Sequence, residues 1–312
     1  MGTLSLVLST VLSVLTALLI LSRLFIVLEW LDTALQYIIP VDLLYPGSTA
    51  VTIISSFILA VVIIGLFLGT YFEIKNLSLI SSVIIFISLL GFYSPRADSL
   101  NGLSFFRFIW LPLAESTVGR VATAHVITIP PNLIDVFSMW IGVDIALAFL
   151  TFLSGLGLSI ILLILVARLS RLLVGYEPDI IWVREYSRYP SVLGYILFSY
   201  GLLGYILKYY RDVYFIDPSF VWLLSILGII GWALLNEVDI GVKMGYDYML
   251  YRARIPFLMP IPRLVSKLIM YPWTLLRRHA RWESGKDIFY IQVVYLAIIL
   301  LVSNIIDIIL MS

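Results

Sequence analysis

The 312 residues are 62% hydrophobic and only 12% charged, whereas a soluble domain carries about a quarter charged residues to face water. A mean hydropathy of +1.06 puts much of this chain's surface against lipid. Twenty Lys and Arg balance nineteen Asp and Glu, and cysteine is absent; the near-neutral balance gives no reason for a nucleic-acid partner, and the missing thiols exclude disulfides, thiolate nucleophiles and cysteine-ligated metal centres.

A helix needs about 20 mostly apolar residues to cross the hydrocarbon core, and seven stretches meet that requirement. The first, 4–28, has Arg23 as its only charge. No positive charge precedes it and no small-residue cleavage pattern follows, so it reads as a spanning helix rather than a signal peptide. Stretches 48–72 and 76–94 are joined only by Glu73, Ile74 and Lys75, which predicts an antiparallel hairpin. The connection 95–135 then carries Arg96, Asp98, Arg107, Glu115, Arg120 and His125. Its apolar piece 105–113 is too short to span, and Phe105, Phe106, Phe108 and Trp110 suit the membrane interface or a partner's surface.

The fourth stretch, 136–167, holds Asp144 near its start and Ser154, Gly155, Gly157 and Ser159 further on. Small residues at this spacing predict close packing of helices in the membrane, with a ligand site as the alternative. Stretches 189–207 and 218–236 follow. The connection 237–287 has nine basic and five acidic residues. Within it, 263–281 mixes basic side chains with Leu264, Leu268, Ile269 and Trp273, as expected of a helix facing lipid headgroups or of a docking surface for a soluble partner. The last stretch, 288–306, ends beside Asp307.

Ten-residue segments of alternating polarity, the mark of a membrane barrel, are missing. The expected fold is therefore all-α: one integral membrane domain over 1–312, with about seven transmembrane helices, an outer loop at 95–135 and a basic cytoplasmic loop at 237–287. With the N-terminus in the cytoplasm of a multi-pass cell-membrane protein, inner connections hold fourteen Lys and Arg and outer ones six, the asymmetry that the positive-inside rule requires.

Chemistry-bearing residues are few. His125 and His279 fall in opposite loops, separated by a core of about 30 Å, so they do not share one haem; His125 with a ligand from elsewhere is the candidate haem ligand. Glu237, Asp239 and Asp247 precede Arg252 and Arg254, a mixture that at a membrane interface can hold magnesium and a diphosphate. Membrane prenyltransferases use such clusters, but Ile240 breaks their Asn-Asp-x-x-Asp-x-x-x-Asp spacing and no second aspartate-rich motif appears. The competing reading is ion pairing among solvated loop charges. Asp144 and Asp307 are the candidate membrane-embedded polar residues, and such groups point to transport when they lie in spans.

Rich in Ile, Leu and Tyr, free of cysteine and dense in Tyr and Trp, the chain resembles respiratory membrane subunits of thermoacidophilic archaea. In size and hydrophobicity it is similar to the hydrophobic B subunits of archaeal cytochrome b complexes. The resemblance implies a non-catalytic subunit of an electron-transport complex, lying in the lipid bilayer beside a haem-bearing subunit, and it transfers no ligand residue. An enzyme of lipid headgroups or prenyl diphosphates, and a small-molecule or ion transporter, are the alternatives.

Overall fold

The computed structural model describes residues 49–90, 108–110, 112–113, 143–175, 187–209, 216–259, 262–276 and 284–311, with parts of 11–34. Regular structure among the described residues is entirely helical. The helices are α1 (Val14–Arg23), α2 (Thr49–Tyr71), α3 (Lys75–Leu90), α4 (Val143–Val174), α5 (Pro190–Tyr209), α6 (Pro218–Met244), α7 (Tyr246–Arg254), α8 (Arg263–Leu276) and α9 (Gly285–Met311), with a short 3-10 turn at Phe108–Trp110.

Four of them contain stretches long and apolar enough to cross a membrane: Ile53–Tyr71 of α2, Ala148–Leu173 of α4, Pro218–Met244 of α6 and Gly285–Ile305 of α9. The 16 residues of α3 rise about 24 Å at 1.5 Å each, short of the hydrocarbon thickness, and the apolar parts of α1 and α5 are also short of that length. Each of the seven expected stretches thus contains a helix, four of them with the length and polarity to span.

Helix α6 is the axis of the bundle, buried over most of its length. It is hydrophobic on all sides, as a helix enclosed by others must be. Its start is locally encoded: the Asp217 carboxylate accepts a bond from the Ser219 N–H at 2.7 Å and Pro218 occupies the first helical position, where its missing N–H costs nothing. Leu223, Leu224 and Leu227 of α6 meet Leu59, Val62 and Leu66 of α2, Ile85 and Leu89 of α3, and Leu202, Leu203 and Ile206 of α5 in one core. The opposite faces are apolar too. Ile53, Ile54, Phe57, Val61 and Ile64 of α2, and Ile80 and Val83 of α3, are exposed, as a lipid-facing belt would be.

Two short features differ from expectation or add to it. The apolar piece at 105–113 was expected in the interface or against a partner, but its Trp110 is fully buried in the bundle core. The indole N–H finds the Ser88 hydroxyl at 2.9 Å, which removes the cost of burying it. The α2–α3 hairpin forms as expected, closing on a Schellman turn. Ile74 N–H reaches Gly69 C=O at 2.7 Å and Glu73 N–H reaches Thr70 C=O at 3.2 Å. Glu73 stands at φ 62°, a left-handed position that usually takes glycine. Its side chain offsets the strain by accepting from the Gly285 N–H at 2.7 Å, which caps the N-terminus of α9.

Candidate functional site

Several of the described charges gather where α4, α5, α6 and α7 meet at one end of the bundle, the end that also holds the α2–α3 turn. Helix α6 runs on to Met244 rather than stopping near 236, and the chain turns at Gly245, with φ 56° and ψ −124°. That backbone combination strongly favours glycine. Helix α7 then doubles back so that the Tyr248 ring rests on Gly241. Beyond α7, Pro256 and Phe257 run beside the entry to α5: Arg188 N–H donates to Pro256 C=O at 3.0 Å and Tyr189 N–H to Phe257 C=O at 3.2 Å. These bonds hold the backbone of Arg188 and Tyr189 against the segment that follows α7.

There the Arg188 guanidinium forms an ion pair with Glu237. The two side chains are 7% and 1% exposed, so neither charge is solvated. Arg252 of α7 approaches the same carboxylate, with Nε 3.9 Å from Oε2. Phe257 lies under Arg188, its ring centroid 5.7 Å from the guanidinium carbon. The Tyr189 and Tyr248 hydroxyls lie close enough to feel the pair's charge, yet neither closes a well-aligned hydrogen bond, and neither does Arg188 Nε. Burial, reinforced by the negative charge of Glu237, pushes the Tyr248 phenol above its usual range, so it remains a protonated donor at any physiological pH.

Two adjoining cavities open off this junction. The larger, of 480 Å³, runs between α4, the start of α5, and α6, with Arg168, Arg188, Tyr189, Ser191, Asn236 and Tyr251 among its walls. The smaller, of 330 Å³, shares Arg188, Tyr189 and Tyr251 and adds Met244 and Tyr248. No acidic side chain lines either one among the described residues. The arrangement presents guanidinium and phenol donors in a partly desolvated recess, which suits an anion.

The residues singled out from sequence fall into three groups. Glu237 and Arg252 do come together. Glu237, however, is not a solvated loop charge; the continuation of α6 past residue 236 keeps it inside the bundle at 2% exposure. Asp239 pairs elsewhere, with Lys75 at the start of α3, while Asp247 and Arg254 are exposed on α7. Asp144 and Asp307 belong to α4 and α9, with side chains outside the described residues, as His125 is altogether. Among the described residues, no three His, Asp or Glu side chains converge to hold a metal ion.

Sequence reasoning passed over Arg188, Tyr189, Tyr248 and Glu73. The available signal was Arg188 itself, a charge placed directly before an apolar helix that opens on Pro190. Such a residue has to find a counter-ion or reach water. No protein-family model, no curated protein and no solved structure matches the chain.

Proposed function

We propose that this chain is a seven-span integral subunit of a membrane electron-transport complex, with its N-terminus in the cytoplasm and with haem carried by a neighbouring subunit. The observation that carries this reading is the use made of the charges. Glu237 is held by Arg188 and Arg252, Asp239 by Lys75, and Glu73 by the start of α9. Apart from Arg252, on the helix that follows α6 directly, each contact ties together segments distant in sequence, which is the work of a scaffold. An enzyme of diphosphates would need Glu237 and Asp239 free for magnesium, and guanidinium or ammonium partners compete for the same oxygens.

Helix α8 supports the reading from the outside. Leu264, Leu268 and Leu275 are 81%, 75% and 69% exposed, and its attachment to α9 includes the Tyr295 hydroxyl donating to the Ile269 carbonyl. A mild-detergent extract should therefore yield the chain with a second, haem-bearing polypeptide. The Soret band should leave with that polypeptide when a harsher detergent separates the two. A chain that emerges alone from the mildest extraction, or that keeps the band in isolation, would sink the proposal.

A further inference from the structure

The charge pairs at this junction do not use up its positive charge. Arg188, Arg252 and Glu237 together carry one excess cation, and Arg168 adds another from the exposed side of the cavity. Arg188 Nε is buried and closes no well-aligned hydrogen bond. A donor left unmatched inside a protein costs free energy unless something accepts from it, and the 480 Å³ recess that Arg188 lines has the volume for a headgroup. On α4, on the membrane side of Arg168, Leu165 is exposed and Leu158 and Leu162 are half-buried. Spacings of three and four put all of them on one stripe of the helix, so an apolar surface begins where the arginine rim ends.

We infer that the cavity between α4, α5 and α6 binds one anionic phospholipid, its phosphate held by Arg168 and Arg188 and its chains laid along Leu165, Leu162 and Leu158 towards the middle of α4. The head chemistry is that of a phosphate with no cation attached to it. Free phosphate offers the same oxygens but nothing for the α4 stripe. Asn236 and Ser191, also in the wall, supply neutral donors beside the two arginines. Basic pockets between transmembrane helices recognise anionic headgroups through this combination of fixed charge and adjacent acyl surface. The inference stands apart from any electron-transport partner, because every group it uses belongs to this chain.

The test uses the full chain in nanodiscs of phosphatidylcholine containing a minority of phosphatidylglycerol, followed by detergent washing and mass spectrometry of the lipid that stays. Phosphatidylglycerol should be retained in preference to phosphatidylcholine. Arg168→Gln, at an exposed position that the fold does not depend on, should lower that preference by about fivefold, the worth of one basic residue at a lipid surface. Arg254→Gln removes the same charge from exposed α7 outside the cavity and should leave retention unchanged. Replacing both Arg188→Gln and Glu237→Gln together avoids stranding a buried charge and should weaken retention further. Equal loss in Arg168→Gln and Arg254→Gln would mean diffuse surface attraction and would overturn the site. So would retained lipid of bulk composition. Displacement of the lipid by millimolar inorganic phosphate would overturn the assignment to an amphiphile.

Discussion

The middle of the bundle and its charged end are fastened by opposite means. In the middle, α3 and α6 exchange neutral bonds: Ser82 Oγ donates to Ser225 C=O at 3.2 Å and Ser225 Oγ to Ser82 C=O at 3.1 Å. Gln292 of α9 donates to Leu227 C=O at 2.9 Å. Between α4 and α5 there is little room for side chains at all, since Gly157 lies against the backbone of Gly194 and Phe198. At the end, full charges meet across α5, α6 and α7. Neutral hydroxyls and bare backbone cost little to place in hydrocarbon, whereas a charge there costs several kcal/mol. Charge is therefore spent only where headgroups and water are within reach. The two fastenings ought to fail differently, and that difference can be measured.

The largest loss is expected from Arg188→Ala, which leaves Glu237 at 2% exposure without its nearest counter-ion. Stranding a buried charge costs about 3–5 kcal/mol, read as a fall in the thermal or SDS unfolding midpoint by circular dichroism. Replacing the pair together by Arg188→Met and Glu237→Leu should recover most of that loss, because the penalty belongs to the orphaned carboxylate. If the double variant is as unstable as the single one, the end of the bundle does not depend on charge pairing.

Next in size is Gly157→Ala. A Cβ there would sit 2.3 Å from Phe198 N and 2.4 Å from Gly194 O, and backbone atoms cannot swing aside. Helices α4 and α5 must separate, at about 1–3 kcal/mol. Gly241→Ala provides the contrast within the same chain. Its nearest neighbour would be a Tyr248 ring carbon at 3.6 Å, ordinary contact distance, so better helix propensity should leave stability unchanged or higher by up to about 1 kcal/mol. Equal losses at the two glycines would mean that helix flexibility, not close approach, is what matters. Ser82→Ala should be milder than Gly157→Ala, about 0.6 kcal/mol, the mean worth of a hydrogen bond between membrane helices.

The middle was far more legible in the sequence than the end. Apolar runs announce themselves, and the small residues Ser154 and Gly157 predicted a close seam that the α4–α5 contact now shows, with Ser154 Oγ donating to Phe198 C=O at 3.2 Å. The end resisted because charged residues break hydropathy patterns without saying what they pair with. Glu237 lay one residue past the expected end of a span and read as a loop charge, since nothing local says that α6 carries on to Met244. Its partner Arg188 is 49 positions earlier, a contact made by tertiary structure alone. The turn at Gly245 had a local cue in the glycine, but the direction in which α7 returns depends on Tyr248 finding Gly241. Trp110 shows the limit from the other side: an aromatic that suits an interface is equally suited to a core once a hydroxyl such as Ser88 is there to accept its N–H.

Lys75 and Asp239 define the weak limit of the charged end. The pair joins α3 to α6 just as Arg188 joins α5 to α6, but its side chains are 23% and 45% exposed. Water and salt screen such a pair, and long side chains lose rotamer freedom in making it, so exposed pairs contribute about 0–1 kcal/mol. Neither partner is stranded in a dry site when the other is removed. A double-mutant cycle with Lys75→Met and Asp239→Asn should therefore give a coupling below about 1 kcal/mol, and it should shrink further as salt is raised from about 0.1 M to 1 M, where the screening length falls from about 10 Å to 3 Å. The Arg188 effect should hardly move over the same range, since ions cannot enter between Arg188 and Glu237. Equal salt sensitivity at the two pairs would mean that the Arg188–Glu237 junction is open to solvent, and the cavity beside it would then be a water-filled cleft rather than a recess shaped to hold a ligand.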